Sequence, residues 1–291
     1  MSTSPRKTWF ITGTSSGFGH AFATYALGKG YNVVATARNP SKLESLVAQA
    51  PDRVLALPLD VDRPCDAEAA VRAAVERFGR IDVLINNAGY GIIGAVEETP
   101  DNELRALMET NFFGAVAVIR AALPTLRAQR SGAIVNISSL GGQLSFAGFG
   151  AYSASKFALE GISEALAQEV AASGIKVLLV EPGNFRTNLL GSGTREMPGM
   201  DAYRQSVGGT REFARNMHGA QIGDPLKAAA AIDLALEAEN TPLRLQLGED
   251  AVAAVRAHAK TMLEDLERWQ AVAVNTHLEG AVVTAKPLAT S

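Results

Sequence analysis

Short apolar runs alternate along this chain with longer stretches in which apolar residues recur every three or four positions. Seven runs read as strands: TWFITG from Thr8, NVVATAR from Asn32, VLALPLD from Val54, IDVLINN from Ile81, AIVNISS from Ala133, KVLLVEPG from Lys176 and LRLQLG from Leu243. Each is too short for a buried helix, and most are continuously apolar, as strands covered on both faces are. Between them lie helical patterns at 17–29, 41–50, 65–78, 100–129, 151–173, 224–240 and 249–270. Thr99-Pro100-Asp101 and Asp224-Pro225 are expected helix starts, an N-cap oxygen followed by proline at the first helical position. The regular exchange of strand and helix predicts an α/β fold: a doubly wound parallel sheet of about seven strands, with right-handed crossovers and helices on both faces.

No linker, repeat or low-complexity segment divides the sequence, so one domain over 1–291 is expected. Two stretches break the rhythm. From Asn188 to Gly223, Gly191, Gly193, Gly199, Gly208 and Gly209 mix with Met197, Met200 and Phe213, which predicts a mobile, partly helical insertion after the sixth strand. The extension at about 270–291 has no clear period and is expected to be loosely held or used at a subunit contact.

Composition narrows the function. A net charge of -3 gives no reason to expect a nucleic acid or an acidic membrane as partner. The single Cys65 excludes an internal disulfide, and the four histidines lack ligand spacing, so no metal is expected. No run reaches the roughly 18 apolar residues of a membrane span, and the N-terminus carries no signal pattern; a soluble protein of the reducing cytoplasm is the default.

Two stretches carry the chemistry. After the first strand, Gly13, Gly17 and Gly19 stand in FITGTSSGFGHAF, where a strand must turn tightly into a helix. Side chains there would keep a pyrophosphate from the backbone N–H groups, and Ser15 and Ser16 add hydroxyl donors. The second strand ends in Arg38 where an NAD-preferring fold usually has an acid; a guanidinium suits a 2′-phosphate, so NADP(H) is favoured over NAD(H). Asp60, at the end of the third strand, stands where it can meet the adenine edge, with Val61 beside it and Phe18 completing the turn. The second stretch is AYSASKFALEG, which puts Tyr152 and Lys156 one helical turn apart on one face. A free phenol has a pKa near 10, and a neighbouring ammonium favours its phenolate; Ser139, at the end of the fifth strand, is placed to polarise the same carbonyl.

Taken together, TGTSSGFG, NNAG, Asn111 in METNFFG, NISS, YSASK and PGNFRT stand in an order that closely resembles the short-chain dehydrogenase/reductase family, most of all its hydroxysteroid and retinol dehydrogenase-like branch. The resemblance implies a Rossmann fold with Tyr152 as general acid/base and Ser139 orienting the substrate. It also implies that Lys156 holds the nicotinamide ribose and that Asn111 holds a relay water. Asn87, Ala88 and Gly89 would line the cofactor, Pro182, Gly183 and Thr187 the nicotinamide, and 188–223 would be the substrate lid. Family members often form homodimers or homotetramers through helices 100–129 and 151–173, so a homo-oligomer is expected. The substrate wall is expected from Tyr90, Gln143, Leu144, Ser145, Phe146, Phe149, Leu189, Met197, Met200 and Phe213. That mostly aromatic and thioether set predicts a small-molecule ketone or secondary alcohol that is bulky and apolar. A non-catalytic NADP(H) sensor is the alternative, though a sensor needs no phenol; an epimerase or dehydratase of the extended relatives fits the glycine spacing less well.

Overall fold

The structure, a computed structural model, describes residues 6–280. All seven expected strands form: β1 (Thr8–Ile11), β2 (Asn32–Ala37), β3 (Val54–Pro58), β4 (Val83–Asn86), β6 (Gly132–Ile137), β7 (Ile175–Pro182) and β9 (Arg244–Leu247). They lie in one wholly parallel sheet in the order β3-β2-β1-β4-β6-β7-β9. Two further strands, β5 (Gly91–Ile93) and β8 (Thr194–Glu196), pair in a small parallel ladder that ties the insertion to the loop after β4. Three residues are too few to show a period along the chain.

Alternate residues of each central strand feed different layers. Trp9 and Ile11 of β1 pack with Val33, Ala35 and Ile85 against α1 (Gly17–Gly28) and α8 (Pro225–Glu237), which supply Phe22, Ala26 and Ile232. Phe10, Val34, Leu84 and Ile134 face the opposite layer. There α3 (Pro64–Phe78), α5 (Gly114–Gln129) and α6 (Gly150–Val170) present Val71, Val118, Leu126 and Leu166. Burial on both faces explains why the strands read as unbroken apolar runs. A short 3₁₀ turn, Pro40–Leu43, leads into α2 (Glu44–Gln49) after β2.

The helix expected at 100–129 is built in three parts: α4 (Asp101–Met108), a π turn (Glu109–Phe113) and α5. Pro100, not Thr99, occupies its N-cap; the Thr99 hydroxyl instead donates to the Ala95 carbonyl at 3.0 Å. Asp224 does cap α8, accepting from the Leu226 N–H at 2.8 Å. By length and composition the stretch Asp101–Gln129 would suffice to cross a membrane, but here Val118, Ile119, Ala122 and Leu126 are spent on the core.

The insertion carries β8 and α7 (Arg204–Met217). α7 is fastened to the body by Arg211, whose guanidinium donates to Glu98 at 2.7 Å and to the Met197 carbonyl at 2.6 Å. Glu98 also accepts from the Ala95 and Met200 N–H groups at 2.7 and 2.6 Å. These donors hold its carboxyl below the usual range, backbone hydrogen bonds first, against the pull of burial. α9 (Glu249–Ala273) runs past the expected end of its helix, and the residues from 281 onward lie outside the described region.

Candidate active site

In this sheet the strand order reverses between β1 and β4, and the crevice at their carboxyl ends is where doubly wound folds bind ligands. A cavity of about 1040 Å³ opens there. Its floor is the glycine turn after β1 and the Asn87–Gly89 loop after β4. Thr12 joins them, its hydroxyl accepting from the Asn87 and Ala88 N–H groups at 2.9 and 3.0 Å. The Asn87 amide returns two donors, to the Thr12 and Gly13 carbonyls at 2.9 and 3.0 Å. Gly13 holds a positive φ of 70°, and a Cβ on Gly19 would collide with the Gly13 carbonyl and stand 2.6 Å from Asn87 Nδ2. Glycine is therefore required by packing at 19 and by backbone conformation at 13.

Gly13, Ser15, Ser16, Gly17, Phe18, Arg38, Asp60, Val61, Asn87, Ala88, Gly89, Pro182, Gly183 and Thr187 all line this cavity. Gly19 does not; it lies beneath, where its missing side chain lets the turn close. Arg38 is exposed at one pole, and Lys42, which the sequence reading passed over, lines the same pole. Neither makes an ion pair among the described residues. A glycine turn that leaves backbone and serine donors open, a long cavity and an unpaired guanidinium at its far end fit a dinucleotide.

At the other pole stand Ser139, Tyr152 and Lys156. Ser139 caps the 3₁₀ turn Leu140–Gly142, its Oγ accepting from the Gly141 N–H at 3.0 Å, so its own proton is free to point into the cavity. Lys156, buried, donates to the Ile137 carbonyl at 2.8 Å and lies 5.7 Å from the centre of the Tyr152 ring. Burial brings the ammonium down to about 8, with the charge of Glu160 working the other way. The expectation of a phenol drawn down by this ammonium is not what the chain alone produces. Burial drives Tyr152 up, offset in part by the Ser139 hydroxyl. The phenol is thus an acid that keeps its proton until an acceptor arrives.

Asn111 lies in the π turn, beside this group but outside the cavity lining. Its amide donates to the Tyr90 carbonyl at 2.9 Å and to Ser155 Oγ at 3.0 Å, while its Oδ1 accepts from the Tyr90 N–H at 3.0 Å. With its side chain spent this way, Asn111 fixes the loop that passes Lys156: a Cβ on Gly89 would stand 2.9 Å from Asn111 Oδ1 and 3.8 Å from Lys156 Nζ. π turns concentrate at functional sites, and the apolar helical period of METNFFG does not announce one.

Of the expected substrate residues, Tyr90, Phe146, Phe149, Leu189 and Phe213 line the cavity. Five others do not. Gln143 donates to Glu160 and Glu181, at 3.1 and 3.2 Å. Leu144 is half-buried and Ser145 exposed, both away from the lining. Met197 packs beneath the tyrosine with Ile92 and Leu107, and Met200 is turned outward. Arg195 was not among those first choices and does line the cavity; its guanidinium lies 4.7 Å from the Tyr90 ring centre and pairs with Glu103 at 2.7 Å. Asp250, at the start of α9, was also missed: it lines the cavity beside Gly183 and accepts from the Asn184 N–H at 2.8 Å.

Residues 7–198 match the model of the family described as short chain dehydrogenase. Oxidoreductase BOA17 of Botryotinia fuckeliana is 42% identical over 265 residues, 91% of this chain and 97% of that one. A 3-ketodihydrosphingosine reductase of Bacteroides thetaiotaomicron is 40% identical, covering 88% and 92%. The crystal structure of a short-chain dehydrogenase from Streptomyces avermitilis, at 50% identity, superposes with a TM-score of 0.89 over 94% of this chain and all of that one. More distant solved structures include ElxO with NADP bound (25% identity, TM-score 0.71, covering 85% and 99%). Another is a 3-ketoacyl reductase of Brucella melitensis complexed with NADH (26% identity, TM-score 0.70, covering 84% and 98%). With its sheet order, glycine cradle and Ser–Tyr–Lys pole, the chain belongs to the short-chain dehydrogenase family, a group of NAD(P)-dependent dehydrogenases and reductases.

Proposed function

We propose that the protein interconverts a carbonyl group and a secondary alcohol on a bulky apolar or aromatic small molecule, with NADP(H) favoured over NAD(H). The observation that carries this reading is one cavity with a free guanidinium at one pole and a buried phenol, serine and lysine at the other. A bound nicotinamide supplies or accepts the hydride. Tyr152 gives its phenolic proton to the carbonyl oxygen as charge develops there, and a buried, neutral phenol is the form that act needs. Ser139 donates to the same oxygen, orienting it and stabilising the alkoxide. Lys156 spends one of its three donors on Ile137, leaving two for the ribose hydroxyls, and its charge assists the return of the proton to the tyrosine. Asn111 fixes the turn beside Lys156, and the relay water assigned to it rests on the family resemblance.

Preference for an apolar substrate is supported by Phe146, Phe149, Phe213 and Leu189, and by the pairing of Arg195 with Glu103, which answers the charge of the arginine that the insertion brings to the lining. A relative named for reducing a 3-keto compound, and the resemblance to the hydroxysteroid and retinol branch, point the same way. The reading also includes a single domain with 188–223 as lid, acting in the cytoplasm as a homodimer or homotetramer. Exposed Phe113 and Phe157, on the face where the resemblance puts subunit contacts, support the assembly. Depletion of NADPH and NADH measured against a panel of ketones, aldehydes and secondary alcohols tests the whole: bulky aromatic ketones with NADPH are expected to react fastest. A preference for phosphorylated sugars or short keto acids would overturn it.

A further inference from the structure

Behind the pole that carries the serine and the tyrosine lies a polar knot with no part in the chemistry above. Glu181, fully buried at the end of β7, and Glu160, almost fully buried one turn beyond Lys156 on α6, approach one another across the side chain of Gln143. One amide nitrogen serves both, Gln143 Nε2 donating to Glu160 Oε2 at 3.1 Å and to Glu181 Oε1 at 3.2 Å. From β9, Arg244 Nε reaches Glu160 at 3.0 Å and Glu181 at 3.6 Å, while its Nη2 is taken by the exposed Glu164 at 2.7 Å. Gln246 donates to Glu181 Oε2 at 2.8 Å.

The charges do not balance if every carboxyl is ionised. Glu160, Glu181 and the exposed Glu164 face two cations, the Arg244 guanidinium and, one turn back on α6, the Lys156 ammonium, whose charge acts on Glu160; Glu181, with Arg244 at 3.6 Å and Glu160 beside it, is the carboxyl that repulsion favours keeping protonated. A single proton held by the pair removes the conflict. Burial pushes Glu181 up to about 7, Gln246 and Arg244 resisting and the charge of Glu160 adding to it; burial moves Glu160 in the same direction. Ser138 Oγ and Glu160 Oε1 are both buried and close to one another, the hydroxyl helping to hold the Glu160 carboxyl down against burial, and a Cβ on Gly142 would touch the two at 2.5 and 3.1 Å. They are a donor and an acceptor at the base of the serine loop.

Gln143 directly follows the 3₁₀ turn that Ser139 caps, so its one side chain joins three walls of the site: the serine loop, the helix of Tyr152 and Lys156, and the strand leading to Pro182 and Gly183. We propose that Gln143, Glu160 and Glu181 are positioning residues for Ser139, and that Gln143 fastens the serine loop only while the two carboxylates share one proton. The catalytic consequence rests on the function proposed above; the fastening itself does not.

The closing experiment therefore has two arms on the full-length protein, with Gln143→Leu and Glu181→Gln beside the unaltered chain. In the first, without substrate, hydrogen exchange of the amides of 139–142 is followed from pH 6 to 8 after correction for the intrinsic rate. At pH 6 protection should be about tenfold lower in Gln143→Leu than in the unaltered protein, as for one lost charge-assisted hydrogen bond; in the unaltered protein it should fall by a similar factor as pH rises through 7, so that the two converge at pH 8. In Glu181→Gln, which cannot ionise, the pH-dependent fall should vanish. Thermal melting should follow: a carboxyl raised on folding adds stability below its unfolded pKa and loses it as pH rises through about 7, so Glu181→Gln should flatten that slope. In the second arm, with NADPH and 1-tetralone, kcat should track protection while NADPH affinity stays within about twofold, because the knot touches serine geometry and not the phosphate cradle. An unchanged exchange rate in Gln143→Leu, or an exchange limb near pH 7 that persists in Glu181→Gln, overturns the proposal. If 1-tetralone is not reduced at all, the substrate reading fails and the exchange arm still decides the fastening.

Discussion

The two poles of the cavity are built from different materials. The dinucleotide pole is mostly backbone: Gly13 and Gly19 let the turn close, and Thr12 and Asn87 hold its carbonyls and N–H groups by four hydrogen bonds of 2.9 to 3.0 Å. The reacting pole and the wall beyond it are side chains, delivered by a 3₁₀ turn, a long helix and an insertion fastened by the β5–β8 ladder and a buried ion pair. A backbone site tolerates no added atom but needs little chemistry of its own. A side-chain site tolerates substitution in shape and fails when one functional atom is removed.

The largest effect should come from that single atom. Tyr152→Phe is expected to lower turnover by about 100- to 10,000-fold while NADPH still binds, as read by stopped-flow rates and cofactor titration. Near-normal rates would erase the distinction between the poles. Next, Gly19→Ala should weaken NADPH by about 1–3 kcal/mol and lower the melting temperature, since its methyl must displace the Gly13 carbonyl or the Asn87 amide. A well-tolerated alanine would mean that the cradle is softer than its contacts imply. Arg38→Asp is expected to shift the ratio of NADPH to NADH efficiency toward NADH by about tenfold, a modest figure because the guanidinium is exposed. An unchanged ratio would reduce Arg38 to a solvated strand end. The smallest effect should be that of Phe213→Ala, about 1 kcal/mol in the binding of an aromatic ketone, because the ring is only partly covered. Measured as a KM change with kcat held, it would confine that side chain to binding.

The same contrast explains what was legible beforehand. The central strands, buried on both faces, write themselves as apolar runs; the half-covered edge strands β3 and β9 were readable as short runs between helical stretches, and glycine spacing exposed the cradle because only glycine fits there. The substrate wall was less readable. Gln143 and Met197 stand in the expected stretches, yet the first turns into a carboxylate knot and the second under the tyrosine, and neither direction follows from local sequence. Asp250 lies 67 residues after Gly183 and meets its neighbour Asn184 only because β9 returns the chain to the edge of β7. Thr12 and Ser155 were passed over for another reason. A small buried hydroxyl beside a motif looks like filler until its partners are counted, and those two hold the Asn87 loop and the Asn111 amide.

The fastening of the insertion bears on how access to the site responds to the medium. Arg204–Asp201 and Arg215–Glu196 lie on the rim of α7 in open water, where added electrolyte screens each attraction within about 8–10 Å. Arg211–Glu98 is different: the carboxylate side chain is 1% exposed and the guanidinium 11%, so mobile ions cannot come between them. Raising ionic strength loosens the rim and leaves the clasp intact. The hold of α7 on Glu98 is therefore expected to persist from dilute to concentrated salt, read as hydrogen exchange of the α7 amides that stays level as ionic strength rises.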